Sequence, residues 1–411
     1  MKFNAKLLVV ALIVAMIFSV GAVSAAEYNV NATSSDLTQV PHEQVVSVAE
    51  PTVQEVETID LETSDANDDS ENIVSSSSDD IIKGTDSNME SLSESKNDQI
   101  LSASNDEEIL SETLTPNGTK FQNIRDLLEI AQDGDIIDLG GLTYNGTFLS
   151  MNNFNRNITL INGILDLQFS QYQYDGVHFN NAKLVNITFK NVYFNTDNFG
   201  AVCSFTNSLL INVSFENMSV NSGLNVIRNT KLENCRFINL TSRLNKNNGN
   251  FENGAMNIAY YSEFNNCQFI NCSSNQHSGG ICVAGEIGNI VNITNTDFIN
   301  CHSGIGGAIY VHGTGTNSTY HSNIINCNFY NCEATEWGGA LGSSQDYLNV
   351  ENCEFINNSA KQGAAFMVGG ITHGLDGDNS QGHYNTMKNS YFFNNTGTEE
   401  GGAVHITGHH N

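Results

Sequence analysis

Basic residues are scarce in this 411-residue chain: Lys and Arg number 16 against 45 Asp and Glu, for a formal net charge of −29. No basic patch exists to neutralise phosphates, so nucleic acid is not expected as a partner. Beyond the first 26 residues no stretch is apolar enough to span a bilayer, and no integral membrane domain is expected once that segment is removed. All nine cysteines lie after residue 200, none in a paired C-x-x-C, which argues against zinc. Neither a metal nor a cofactor is expected.

The first 26 residues have the three parts of an export signal. Lys2 and Lys6 give a positive start, Leu7 to Val20 an apolar run, and Ala22-Val23-Ser24-Ala25-Ala26 a small-residue cleavage zone. An uncleaved anchor is the alternative, since Leu7 to Ala26 is nearly long enough to cross a bilayer. No Cys follows the cleavage zone to accept a lipid. Residues 27–115 hold about half of all the carboxylates and only Lys83 and Lys96 as basic residues. Low hydrophobicity with charge of one sign buries too little surface to offset chain entropy, so this segment reads as a disordered acidic spacer.

Past residue 150 a phrase returns: Asn266-Cys267-Gln268-Phe269-Ile270-Asn271-Cys272, then Asn326 to Cys332, with variants at Asn234 to Leu240 and Asn352 to Asn358. Such self-similarity marks stacked units that bury their apolar faces only against one another. Aligned on phenylalanine, the column runs Phe189, Phe215, Phe237, Phe269, Phe298, Phe329, Phe355 and Phe392. Two residues earlier stand Ile187, Val213, Cys235, Cys267, Thr296, Cys327, Cys353 and Ser390, small or apolar and of the same strand parity. Between this column and an earlier apolar one (Leu184, Leu210, Leu232, Phe264, Ile293, Ile324, Val350, Met387) every unit has Asn, among them Asn234, Asn266, Asn326 and Asn352. Leu232 and Cys235 are three apart and can both face inward only if the chain bends at Asn234. Asn tolerates the left-handed backbone of such a bend, and a column of bends lets the amides hydrogen-bond from coil to coil. A second Asn column follows each Phe.

A further strand opens on glycine pairs: Gly279-Gly280, Gly306-Gly307, Gly338-Gly339 and Gly401-Gly402. Its inward column is expected to be Cys282, Ile309, Leu341, Phe366 and Val404, followed by Ala284, Val311, Ser343, Val368 and Ile406. Each unit thus offers three strands and tight bends. The expected fold is all-β, a right-handed parallel β-helix with rungs about 4.8 Å apart. Ser242 to Phe251 and Gly370 to Asn385 become loops. Phe121, Ile124, Leu127, Leu128 and Ala131 form an apolar helical stripe that would cap the first coil. The expected organisation is a signal peptide (1–26), acidic spacer (27–115), amphipathic cap (116–150) and solenoid (151–411), the last with no closing segment, as in part of a longer product.

Candidate chemistry is sparse. The outward column beside Phe contains Asp297 and Glu354, two rungs or about 9–10 Å apart, near the upper separation of an inverting glycosidase pair. No second carboxylate, His or basic cluster joins them in the column. His405, His409 and His410, and the Asp376-Gly377-Asp378-Asn379 stretch without a later Glu, are weak metal candidates. Trp337 and Tyr310 have outward parity and would stack on sugars only if exposed. The cysteine columns read as reduced ladders of small buried hydrophobes, with disulfides between neighbouring coils as the alternative. Asn-x-Ser/Thr sequons at Asn145, Asn157, Asn212, Asn292 and Asn317, and also at Asn31, Asn117 and Asn239, are possible glycosylation sites.

The pairing of Gly-Gly-Ala-Ile/Leu/Val with Phe-x-Asn-Asn/Cys resembles the repeats of chlamydial polymorphic outer-membrane proteins. With the export signal, the acidic spacer, the Gly134-Asp135-Ile136-Ile137 opening and the Asn-Cys-x-Phe ladder, the chain is still more similar to the adhesin-like surface proteins of methanogenic archaea. That resemblance covers about residues 116–411 and implies a cell-surface attachment role, with glycans or proteins of partner cells as ligands. Two other readings stand beside it: a β-helix polysaccharide lyase or glycoside hydrolase using Asp297 and Glu354, and a purely structural envelope protein.

Overall fold

The computed structural model describes residues 111–411 except 147–149, 169–175, 194–201, 221–224, 244–256, 284–288, 313–320, 370–381 and 408–410. The signal peptide, nearly all of the acidic spacer, Asn31, Ala284, Asn317, Asp376 to Asn379, His409, His410 and most of both inserts lie outside the described residues. All described residues belong to one unit, Gln99–Asn411.

Helix α1 (Phe121–Ile130) buries Phe121, Ile124 and Leu128. Its start is fixed by the Asn123 side chain, which accepts from the Lys120 backbone N–H at 3.0 Å, as one half of a capping box does. At its end Arg156 Nη1 donates to the carbonyls of Leu128 and Glu129, each at 2.9 Å, satisfying acceptors that the helix leaves open. The Asp135 carboxylate then accepts from Glu112 N–H (2.9 Å) and Gln132 N–H (2.7 Å), joining the first strand to the helix exit.

The remaining described chain is a parallel β-helix in which each coil pairs with the coils before and after it. One full coil runs Glu263–Asn265, Gln268–Ile270, Ser273–Ser274 and Ile281–Val283; the next runs Asn292–Thr294, Asp297–Ile299, His302–Ile305 and Ile309–Val311. There are therefore four strands per coil rather than the three expected. All pairings are parallel, with Phe215, Phe237, Phe269, Phe298, Phe329, Phe355 and Phe392 in register from rung to rung. Their rings, with that of Phe189 before them, stack face over face with centroids 4.4–5.2 Å apart and planes within 2–11°. Isolated aromatic pairs prefer offset or edge contacts. Here the rung repeat imposes the parallel stack.

Both Asn columns turn the chain through left-handed backbone. From Asn186 to Asn389 in the first and Asn191 to Asn394 in the second, φ lies between 51° and 61°. The amides link the rungs: Asn266 Nδ2 donates to Asn234 Oδ1 (2.6 Å), Asn326 to Asn295 (3.2 Å), Asn271 to Asn239 (3.0 Å) and Asn300 to Asn271 (3.0 Å). The residue after the bend closes the corner. Cys235 Sγ donates to the carbonyls of Glu233 and Leu210, both at 3.5 Å. Thr230 at a different corner does the same with its hydroxyl, to Arg228 and Phe205. Cys thus takes the place of Ser or Thr at an equally buried corner, keeping a weak donor while adding apolar volume.

Asn271→Ala removes asparagine's tolerance of left-handed backbone at this corner (φ 54°) and two rung-to-rung hydrogen bonds. The expected loss is about 2 kcal/mol. Asn271→Gly restores the backbone freedom and is expected to lose only about 1 kcal/mol. Urea unfolding of the two variants measures the difference.

The glycine strand shows one shift of register. Ile281 pairs with Ile309 and Cys282 with Tyr310, so the inward column is Ile281, Ile309, Leu341, Phe366 and Val404, and Cys282 faces the other way. The cause is Ser278, which occupies the left-handed corner (φ 49°) that Gly306, Gly338, Gly363 and Gly401 hold in later coils. The next position needs Gly for room: a Cβ on Gly339 would lie 2.1 Å from the Ala364 carbonyl and 2.4 Å from that of Ser359.

Outward parity does not mean exposure on this sheet. Ile258, Tyr260, Cys282 and Tyr310 form a second apolar cluster with Ile305, against which Val226 and Trp337 pack. Tyr310 is 5% exposed, stacked on His277 at 5.0 Å, and burial pushes its hydroxyl up to about 12. Neither Tyr310 nor Trp337 is an open sugar platform, because Ile305 and its neighbours fold back over the strand. All nine cysteines are buried and unbridged.

Candidate functional site

The Phe strand presents its outward side chains as a flat column, with Gln268, Asp297, Asn328, Glu354 and Tyr391 in register. The structure therefore places Asp297 and Glu354 on one face with Asn328 between them. Asn328 Nδ2 donates to Asp297 Oδ1 at 2.7 Å, and the Tyr330 hydroxyl donates to Glu354 Oε2 at 2.9 Å. Burial, then the Glu354 and Asp297 charges, push that hydroxyl well above the usual tyrosine range. Each carboxylate is thus engaged by a neighbour on an open sheet. General acid–base cleavage of a glycosidic bond needs the two to face a substrate and a water across a cleft.

The other candidates are dispersed. His405 lies 3.8 Å from Glu400, and among the described residues no group of three or more His, Cys, Asp or Glu could hold a metal ion. Of the sequons, Asn157 is exposed. Asn145 accepts from Lys120 Nζ at 3.1 Å. Asn212 donates to Asn186 at 3.0 Å, and Asn292 accepts from Asn323 at 2.9 Å. A glycan on Asn212 would break its rung contact. No helix among the described residues is long and apolar enough to cross a membrane.

Concave surface lies elsewhere. A groove of about 340 Å³ runs beside Tyr193, Asn217, Asn239 and Arg243. A larger one, about 550 Å³, is lined by His321, Asn323, Tyr347, Asn349, Glu351, Tyr384, Thr386 and Lys388 among others. Neither includes Asp297 or Glu354. The second groove was missed in the sequence because its tyrosines stand at a corner outside the Phe alignment. The visible signal is the residue before the buried position that opens a coil (Ser208, Thr230, Ser262, Leu348 and Asn385). It is Asn at Asn207 and Asn229 but Tyr at Tyr261, Tyr347 and Tyr384.

The repeat profile of the chlamydial polymorphic membrane proteins matches residues 389–407. No curated protein matches the chain. Among solved structures, the catalytic domain of a GH87 alpha-1,3-glucanase in complex with nigerose is similar at 10% identity and TM-score 0.35, over 72% of this chain and 66% of that one. A form of the same domain with tetrasaccharides is similar at 11% identity and TM-score 0.33, over 71% and 60%. The chain thus spans less than two thirds of those domains. The stretch matched by the chlamydial repeat contains one Phe strand, its Asn corners and one glycine pair, which is the unit from which this solenoid is stacked.

Proposed function

We propose that this chain is an exported, non-catalytic attachment protein, a β-helix that holds a repetitive outer face at a cell surface for glycans or proteins of partner cells. The observation that carries the reading is the unbroken register of the outward column on the Phe strand, one side chain per rung about 4.8 Å apart. Identical spacing favours many weak contacts whose strengths multiply by avidity. A fold alone names no function, so support comes also from the sequence. Residues 1–26 serve as the export leader, 27–115 as a charged spacer, and the Asn-Cys-x-Phe ladder is shared with archaeal adhesin-like surface proteins. The match of one rung to a chlamydial membrane-protein repeat points the same way. A coat protein without specific ligands is the variant that binding distinguishes. Immobilised protein is expected to retain partner-cell envelopes at least tenfold above an unrelated β-helix of similar charge; equal retention would remove the attachment role.

A further inference from the structure

The corner before the Leu-type strand changes character along the solenoid. In early coils it carries Asn181, Asn207 and Asn229, at φ 58°, 48° and 47°, and Asn229 Nδ2 donates to Asn207 Oδ1 at 2.7 Å. In later coils Tyr261 (φ 48°), Tyr347 (φ 59°) and Tyr384 (φ 56°) hold the left-handed position, while the two coils between Tyr261 and Tyr347 carry Ile290 and His321 at the equivalent place. A bulky residue there is strained, and the Asn ladder is given up as well. Strain of this kind concentrates at functional sites. Tyr347 stacks on Tyr384 at 4.9 Å, and the His321 ring meets Tyr347 edge-on at 5.3 Å. Tyr384 nonetheless remains 45% exposed.

Beside this aromatic strip lies the 550 Å³ groove, within the size range of small-ligand sites. A line of neutral polar groups borders it at the rung spacing. Thr386 Oγ1 donates to Asn349 Oδ1 (2.8 Å) and Asn349 Nδ2 to Asn323 Oδ1 (3.3 Å). Glu351 and Lys388, in register on adjacent rungs, add opposite charges that cancel. The corner is braced from behind: Asp346 Oδ1 accepts from His383 N–H at 2.7 Å, and Asn385 Oδ1 from Leu348 N–H at 2.7 Å. The platform is therefore built before any ligand arrives.

We infer that the His321–Tyr347–Tyr384 corner is a binding site for a neutral oligosaccharide. Aromatic rings meet the apolar C–H faces of sugar rings, while amides and hydroxyls at a fixed repeat meet their hydroxyls. A polyanion is disfavoured by the cancelled local charge and by the acidic chain. A peptide added as a strand is disfavoured within the groove because Asn323–Ile325 and Asn349–Glu351 are already paired on both sides, which leaves it only the outer edge of Thr386–Lys388. This site rests on the attachment reading and narrows its ligand.

The test uses the full exported chain, produced without glycosylation, on an array of neutral oligosaccharides, with calorimetry on the sugars retained. Tyr347→Asn/Tyr384→Asn restores the residue that earlier corners carry, so folding is expected to be kept, and thermal melting verifies it. Binding is expected to fall about tenfold or more in that variant. It should persist in Tyr193→Ala, which removes the 61%-exposed tyrosine of the other groove. Sugar binding unchanged in the double variant, or lost in Tyr193→Ala instead, would overturn the site. So would a wild-type chain that retains partner envelopes but no sugar, and there the attachment role survives with a protein ligand. Retention of neither envelopes nor sugars removes both readings.

Discussion

Phe269→Ala is expected to destabilise the solenoid by about 4–5 kcal/mol, the upper part of the usual range for a buried phenylalanine. Phe269 is fully buried, with Phe237 at 4.4 Å and Phe298 at 4.9 Å on its two faces and Phe264 tilted at 6.2 Å. The rungs above and below are held by their own backbone ladders, so the cavity cannot close by letting neighbours settle. Phe269→Leu leaves most of the volume filled and is expected to lose only about 1–2 kcal/mol. Urea unfolding should show midpoints falling in that order. An Ala variant within about 1 kcal/mol of wild type would mean that the ring stack adds little to stability.

Alkali is expected to unfold the protein steeply. Burial raises the thiols of Cys203, Cys235, Cys301, Cys327 and Cys332 well above the ordinary value of 9.0, whereas Cys353 is drawn down by its hydrogen bond with Cys327. The unfolded chain releases these protons near pH 9 and the native chain does not, so the unfolded state binds fewer protons and stability falls as pH rises. Each raised thiol adds to that fall, so the loss of stability is expected to steepen above pH 9. Total stability is only about 5–15 kcal/mol, so such a fall is expected to unfold the chain in alkali. Tyr310, raised to about 12, adds to the loss above pH 10. Below pH 9 the raised groups contribute no slope, while Cys353, drawn down, adds stability as pH rises toward 9. The measurement is the urea midpoint from pH 7 to 11 without oxidant. Cys235→Ser/Cys327→Ser is expected to lessen the slope. Stability flat through pH 10 would mean the thiols are bridged or open to water.

The fold was legible wherever an inward column is large. Phe237, Phe269 and Phe298 recur at fixed offsets from Asn, and the odd spacing between Leu232 and Cys235 requires the bend that Asn234 supplies. The fourth strand was illegible because its inward positions are small: Ser274, Ser303, Ala334 and Ala360 leave no apolar alternation to read. The glycine strand slipped by one residue because Ser278 stands where a glycine marks the corner in other coils. Tyr310 and Trp337 were misplaced because strand parity tells the face but not what folds over it. The tyrosine corner depends on register carried across inserts of unequal length, which alignment on Phe does not supply. Asp297 and Glu354 were correctly put on one column, yet the sequence could not reveal that Asn328 and Tyr330 occupy them.

A crystal structure of the chain tests the central claim most directly. The account predicts Phe189 through Phe392 in a single stack with centroid spacings of 4.4–5.2 Å, flanked by two columns of left-handed Asn. Phenylalanines divided among separate globular cores, or turned toward solvent, would contradict it.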